Sequence, residues 1–138
     1  MTPSRPYGPA LDRLKAVKLR PTRQRLALAR LLFDQGDRHV SAEQLHGEAV
    51  EAGIRVSLAT VYNTLHQFTT AGLLREVVVQ PGRSYFDTNT SDHHHFFIEA
   101  TGHLEDIPGD SVALARLPEP PKGTRIERVE VIVRVTRD

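Results

Sequence analysis

The sequence predicts an α+β chain, with a winged helix-turn-helix first and a small α/β unit after it. Three observations carry this. Serines stand at the starts of two successive helical stretches, at Ser41 and Ser57. A Pro81-Gly82 turn follows directly and separates two β-rich runs. Near the end, Val129, Val131, Val133 and Val135 alternate with Glu130, Ile132 and Arg134, the two-residue period of a strand.

Taken in order, residues 1–8 read as a loose, polar, Pro-containing arm, and Gly8-Pro9 then opens a helix that carries Leu11, Leu14 and Val17. Pro21-Thr22 restarts the pattern, and Leu28, Leu31 and Leu32 form a stripe that stops at Gly36. Ser41-Ala42-Glu43-Gln44 has the form of a capping box, in which Ser41 accepts from the Gln44 amide and the Gln44 side chain reaches back. Leu45 and Ala49 face inward from that helix until Gly53. About four residues later Ser57 caps a second helix, with Leu58, Val61, Tyr62, Leu65 and Phe68 on its apolar stripe and Gly72 at its end. Two such helices joined by a short glycine-containing turn make a helix-turn-helix. The runs Leu73–Val79 and Ser84–Asp87 then form a hairpin in the position of a wing.

Beyond residue 87 the character changes. His95–Ile98 and His103–Ile107 flank a Thr101-Gly102 turn, a short helix is expected over Ser111–Leu117, and Pro118-Glu119-Pro120-Pro121 reads as an extended link. The division is a winged-helix domain over 1–87, a hinge at 88–91 and a second domain over 92–138. Three strands and one short helix are too few to cover their own apolar face. The second domain is therefore expected to pair with another copy of itself as a dimerisation domain.

Composition sets the outer bounds. Hydrophobic residues make up 39% and charged residues 25% of the 138, as in ordinary globular proteins. No apolar run approaches the roughly 20 residues of a membrane helix, no secretory leader is evident, and the expected location is cytoplasmic. Cysteine is missing altogether, so a metal site must be built from His, Asp and Glu. Charge is uneven: residues 1–40 hold nine Lys/Arg against three Asp/Glu, residues 41–138 nine against fourteen, which together give +1. A basic front suits a polyanion.

The second capped helix is then the expected recognition helix, and its outer face offers Ser57, Thr60, Asn63, Thr64 and Gln67. Asn and Gln can pair with adenine edges while Thr and Tyr touch thymine methyls, which favours an A·T-rich duplex, expected to be palindromic for a dimer. Arg20, Arg23, Arg25 and the wing residue Arg83 suit phosphate or minor-groove contacts. The other cluster is Asp92-His93-His94-His95, with Asp87 upstream and His39 between helices. In an extended chain His93 and His95 share one face and His94 takes the other. Imidazoles suit Zn, Fe and haem iron, so His93, His94 and His95 are also candidate haem ligands.

Leu19–Arg25, His39–Leu45, Ser57–Leu65 and the His93–His95 run, in this order, resemble the ferric uptake regulator family over almost the whole chain. The triple histidine, the Pro118–Lys122 stretch and the valine-rich end are most similar to the iron response regulator branch, which senses haem availability. The resemblance implies a dimeric DNA-binding regulator of iron and haem homeostasis, acting as a repressor and not as an enzyme. It implies a divalent metal, Zn, Mn or Fe, at His39, Asp87, His93 and His95, Arg20 in the minor groove and Tyr62 on a thymine. The family's paired Cys-x-x-Cys zinc site and the branch's Cys-Pro haem motif have no counterpart here. A further family metal site falls on Asp92 and His94 but lacks its other two ligands, because Ala113 stands in the Glu position and no His follows His103. Two competing readings are a small metalloenzyme using Asp87, His93 and His95, and a winged helix used only for protein contacts. The metalloenzyme leaves the helix-turn-helix and the basic front without a purpose.

Overall fold

The computed structural model of the protein describes residues 8–108 and 110–138. These fall into two compact units that divide after Thr90. Of the arm expected over 1–8, residues 1–7 lie outside the described residues, and Gly8 already belongs to the first helix. No helix among the described residues is long and apolar enough to cross a membrane.

The first unit runs α1(Gly8–Ala16), α2(Arg23–Phe33), β1(His39–Val40), α3(Ala42–Glu51), α4(Leu58–Thr70), β2(Arg75–Gln80) and β3(Arg83–Asp87). Thr22, Ser41 and Ser57 cap α2, α3 and α4, each accepting from the amide three residues on: Arg25 at 3.2 Å, Gln44 at 3.1 Å and Thr60 at 3.1 Å. The reciprocal half of the capping box at Ser41 is not made, because the Gln44 side chain donates along its own helix to Glu48 at 3.4 Å. Gly53 and Gly72 end α3 and α4 with φ of +76° and +87°. That left-handed turn lets Ile54 and Leu73 donate back to Ala49 and Phe68, both at 2.9 Å, which satisfies carbonyls at the helix ends. Leu14, Leu28, Leu32, Leu45, Val61, Leu65, Phe68 and Phe86 close the core, all without solvent exposure.

One stripe is redrawn. The buried positions of α4 are Val61, Thr64, Leu65 and Phe68, while Leu58 and Tyr62 are 40% and 44% exposed. Thr64, expected on the outer face, belongs to the inner one. The Tyr62 ring lies at the edge of the core, 4.7 Å from the His66 ring and 6.4 Å from the Phe86 ring between centroids. The sheet has the order β1-β3-β2, with the wing turning at Pro81-Gly82. Its edge strand β1 has no counterpart in the sequence reading.

The second unit is a sheet of β4(His95–Ile98), β5(His103–Asp106) and β6(Ile132–Val135) in the order β5-β4-β6, antiparallel on one side and parallel on the other. Phe97, Leu104 and Ile107 are its buried apolar residues. The helix expected at 111–117 is not formed. Ser111 folds onto Pro108 instead, its hydroxyl donating to that carbonyl at 2.6 Å, and Leu114 and Leu117 stay 47% and 49% exposed. So short a segment cannot meet the cost of helix nucleation without packing. The final strand is also shorter than the valine alternation, because its partner β4 offers only four residues to pair with.

Candidate functional site

The chemistry-bearing residues gather in three places. On the outer face of α4, Tyr62, Asn63 and Gln67 are exposed and Thr60 is half-buried. Ser57 is committed to its cap and also donates to the Thr60 hydroxyl at 2.9 Å. Arg83 at the wing tip donates to the Tyr85 hydroxyl at 3.2 Å, and a cleft lined by Ser41, Glu43, Tyr62 and Arg83 joins the start of α3 to the wing. Arg20 and Arg23 are exposed just before and at the start of α2. Arg25 differs from them: its guanidinium bonds the Gln67 side chain and the Arg20 carbonyl.

The second place is the edge of the first sheet. Strand β1 is held to the end of β3 by Thr88, which donates to the Arg38 carbonyl at 3.0 Å and accepts from the Arg38 amide at 2.9 Å. The Arg38 guanidinium reaches the other way, to both carboxylate oxygens of Glu48 at 2.9 and 2.6 Å and to the Leu31 carbonyl at 2.9 Å. This bidentate hydrogen-bonded pairing holds the Glu48 carboxyl below its ordinary range. Held from both sides, β1 sets His39 opposite Asp87 in register, with Nε2 3.2 Å from Oδ2. Asp87 is buried, and its other oxygen accepts from the Asn89 amide at 2.8 Å.

The third place lies in the second unit. His93 Nδ1 stands 2.6 Å from the Ser91 carbonyl, which can only accept, so Nδ1 donates there and ligation of a metal would fall to Nε2. That Nε2 faces Asp106 Oδ1 at 3.2 Å, and His95 Nε2 faces the same oxygen at 3.4 Å. The two imidazoles lie 4.4 Å apart between centroids. A lone pair directed at a carboxylate oxygen is repulsive unless a proton or a cation stands between them. Two imidazoles and one carboxylate with ligand atoms within 4.8 Å of one another are a borderline donor set suited to Zn, Mn or Fe.

His94 behaves differently from its neighbours. Its Nδ1 accepts from the Val131 amide at 3.0 Å, which fixes the proton on Nε2 and leaves neither nitrogen a free lone pair. A metal-bound histidine has the opposite arrangement, with the second nitrogen donating. Asp106 is the residue that sequence reasoning missed. The hairpin is centred between Ala100 and Thr101, which sets Asp106 opposite His95; pairing about the Thr101-Gly102 turn expected from the sequence would have set Pro108 there instead, so the signal needed the actual register.

The sequence profile of the Ferric uptake regulator family matches residues 16–133. The chain belongs to the ferric uptake regulator family. It is 34% identical over 100 residues to the ferric uptake regulation protein of Shigella flexneri, covering 72% of this chain and 68% of that one. It is 34% identical over 101 residues to the namesake from Rhizobium leguminosarum bv. viciae, covering 73% and 66%. Among solved structures, the fold is similar to the Vibrio cholerae ferric uptake regulator, with TM-score 0.72 at 24% identity over 91% of this chain and 98% of that one. It is also similar to the Pseudomonas aeruginosa ferric uptake regulator solved with manganese, with TM-score 0.68 at 23% identity over 93% and 97%. As a member of this family the chain is a metal-binding transcription regulator and not an enzyme, and family members bind DNA as dimers.

Proposed function

We propose that this regulator is gated by a single divalent ion, Zn²⁺, Mn²⁺ or Fe²⁺, held by His39 and Asp87 of the first unit together with His93, His95 and Asp106 of the second. The observation that carries this is the geometry of His93, whose Nδ1 lies 2.6 Å from the Ser91 carbonyl while Nε2 is turned to Asp106 Oδ1 at 3.2 Å, the arrangement of a histidine that ligates through Nε2. Neither the three ligands of one unit nor the two of the other fill a four-ligand sphere alone, and together they supply five, enough for one ion. The ion supplies charge and a fixed geometry. Ligands drawn from both units then limit how the winged helix is carried, so metal binding and DNA binding become coupled. A dimer reading a palindrome must present two recognition helices about 34 Å apart, and the expected operator is A·T-rich, read by Tyr62 and Asn63 with Arg20 in the minor groove. Haem iron would draw on the same imidazoles. It competes with the ion, and in an iron- and haem-responsive regulator it lowers operator affinity.

The test is a binding titration on a duplex selected from a random pool by the protein with Zn²⁺ or Mn²⁺. The expected result is metal-dependent, salt-sensitive binding that His93→Ala abolishes along with tight metal uptake, while His103→Ala changes neither. Operator binding of equal strength in the metal-free protein would overturn the gate. Separately, a haem absorption band that is identical after His93→Ala and His95→Ala would remove the haem part.

A further inference from the structure

We propose that Arg25 is a positioning residue that locks the segment carrying Arg20 to the recognition helix and sets Gln67 to present hydrogen-bond donors only. The inference rests on the DNA-reading function proposed above. Arg25 sits on α2, and Nε and Nη2 donate to Gln67 Oε1 at 3.2 and 2.9 Å while Nη1 donates to the Arg20 carbonyl at 2.9 Å. One planar cation thus ties the loop before α2 to α4, across 42 residues of sequence. A guanidinium has no acceptor, so the Gln67 atom it meets must be the oxygen, and the amide orientation is unambiguous. Both lone pairs of that oxygen are taken, which leaves the NH₂ group as the only part of Gln67 turned to a ligand.

Two consequences differ from the sequence expectation. A donor-only glutamine cannot make the bidentate pair with adenine, which needs an acceptor for N6; its partner is an acceptor such as thymine O4, guanine O6 or N7, or a phosphate oxygen. Arg25, expected to contact phosphate, instead spends three of its five N–H groups inside the protein. Its role is to hold a minor-groove arginine and a major-groove helix in one fixed relation. Lysine, a point charge without the planar fork, cannot substitute for it.

The clamp is tested first without DNA, by ¹⁵N spectra of the arginine Nε–H groups, with the Arg25 signal identified by its loss in Arg25→Lys. Gln67→Ala is expected to shift that signal and speed its exchange with solvent, and an unchanged signal overturns the clamp. The second test uses the selected duplex and a scrambled one across a salt series. Arg25→Lys is expected to bind the selected duplex roughly tenfold or more weakly, with little change on the scrambled duplex. Equal losses on both duplexes in Arg25→Ala, with the salt slope reduced by about one, would mean a plain phosphate contact and overturn the positioning role. Gln67→Glu keeps an acceptor for Arg25 but replaces the NH₂ donor. It should hold the melting temperature and lose the selected duplex, and wild-type binding by it would overturn the donor-only reading. If the wild-type protein selects no duplex, the DNA-reading proposal fails, while the ¹⁵N measurement still decides the clamp.

Discussion

Arg38 and Glu48 set the place of His39 without touching an ion themselves. Their ion pair spans from the residue before His39 to α3, with 23% and 30% of the two side chains exposed, so water screens it in part. The Glu48 carboxyl is held below its ordinary value of 4.5, chiefly by the hydrogen bonds from Arg38, with burial opposing. A carboxyl with a lowered folded pKa contributes stability that is complete above its unfolded pKa and is lost as pH falls through the folded one. Glu48→Gln should therefore lower stability at pH 7 by about 1 kcal/mol and lose less than wild type on acidification below about pH 4.5. Urea midpoints at pH 7 and in the acid range check this, and parallel acid losses in the two proteins would count against it. The same variant should weaken metal uptake modestly, since it loosens β1 and leaves the ligands in place.

At the scale of elements, the caps decide what stands up. Ser57 accepts from the Thr60 amide at the start of the recognition helix, so Ser57→Ala should cost about 1 kcal/mol, while Ser57→Asp, also a capping residue, should not. Thermal unfolding of the two variants measures this, and equal melting temperatures would remove the cap from the account. Caps and tight turns act over three or four residues, and for that reason α2, α3, α4 and the wing hairpin were legible in the sequence. Features made by distant partners were not. Strand β1 is two residues long and exists because Asp87 and Phe86 pair with it and Thr88 bonds to Arg38 just before it. The 111–117 segment has helical spacing but nothing to pack against, and β6 is cut to the length of β4. Of the residues proposed to hold the ion, His39, Asp87, His93 and His95 come from motif resemblance. Asp106 needed the β4–β5 register, and the separate duty of His94 needed the Val131 amide, 37 residues away.

For the whole molecule, the second unit leaves its apolar face incompletely covered within one chain. Val129, Val131, Val133 and Val135 are all only partly buried, and Leu114, Leu117 and Ile126 are between 44% and 49% exposed in the segment that leads to them. A sheet of three short strands with this much apolar surface is poorly stable alone, and a second copy meeting it across a two-fold axis would cover both faces at once. Each valine taken fully out of water is worth about 1.5–3 kcal/mol at most, and part of that is already gained in the single chain. Val131→Asp with Val133→Asp would place carboxylates in such an interface at a cost that pairing could not offset. The expected outcome is a monomer by sedimentation at micromolar concentration. It should keep the capped helices of the first unit and retain non-specific, salt-sensitive DNA binding. It should no longer protect both halves of a palindromic site, because each winged helix would then find its half-site alone. A double variant that sediments as the wild type does would show that the dimer forms through another face. A wild-type monomer at that concentration would leave the apolar face of the second unit without the partner argued for it.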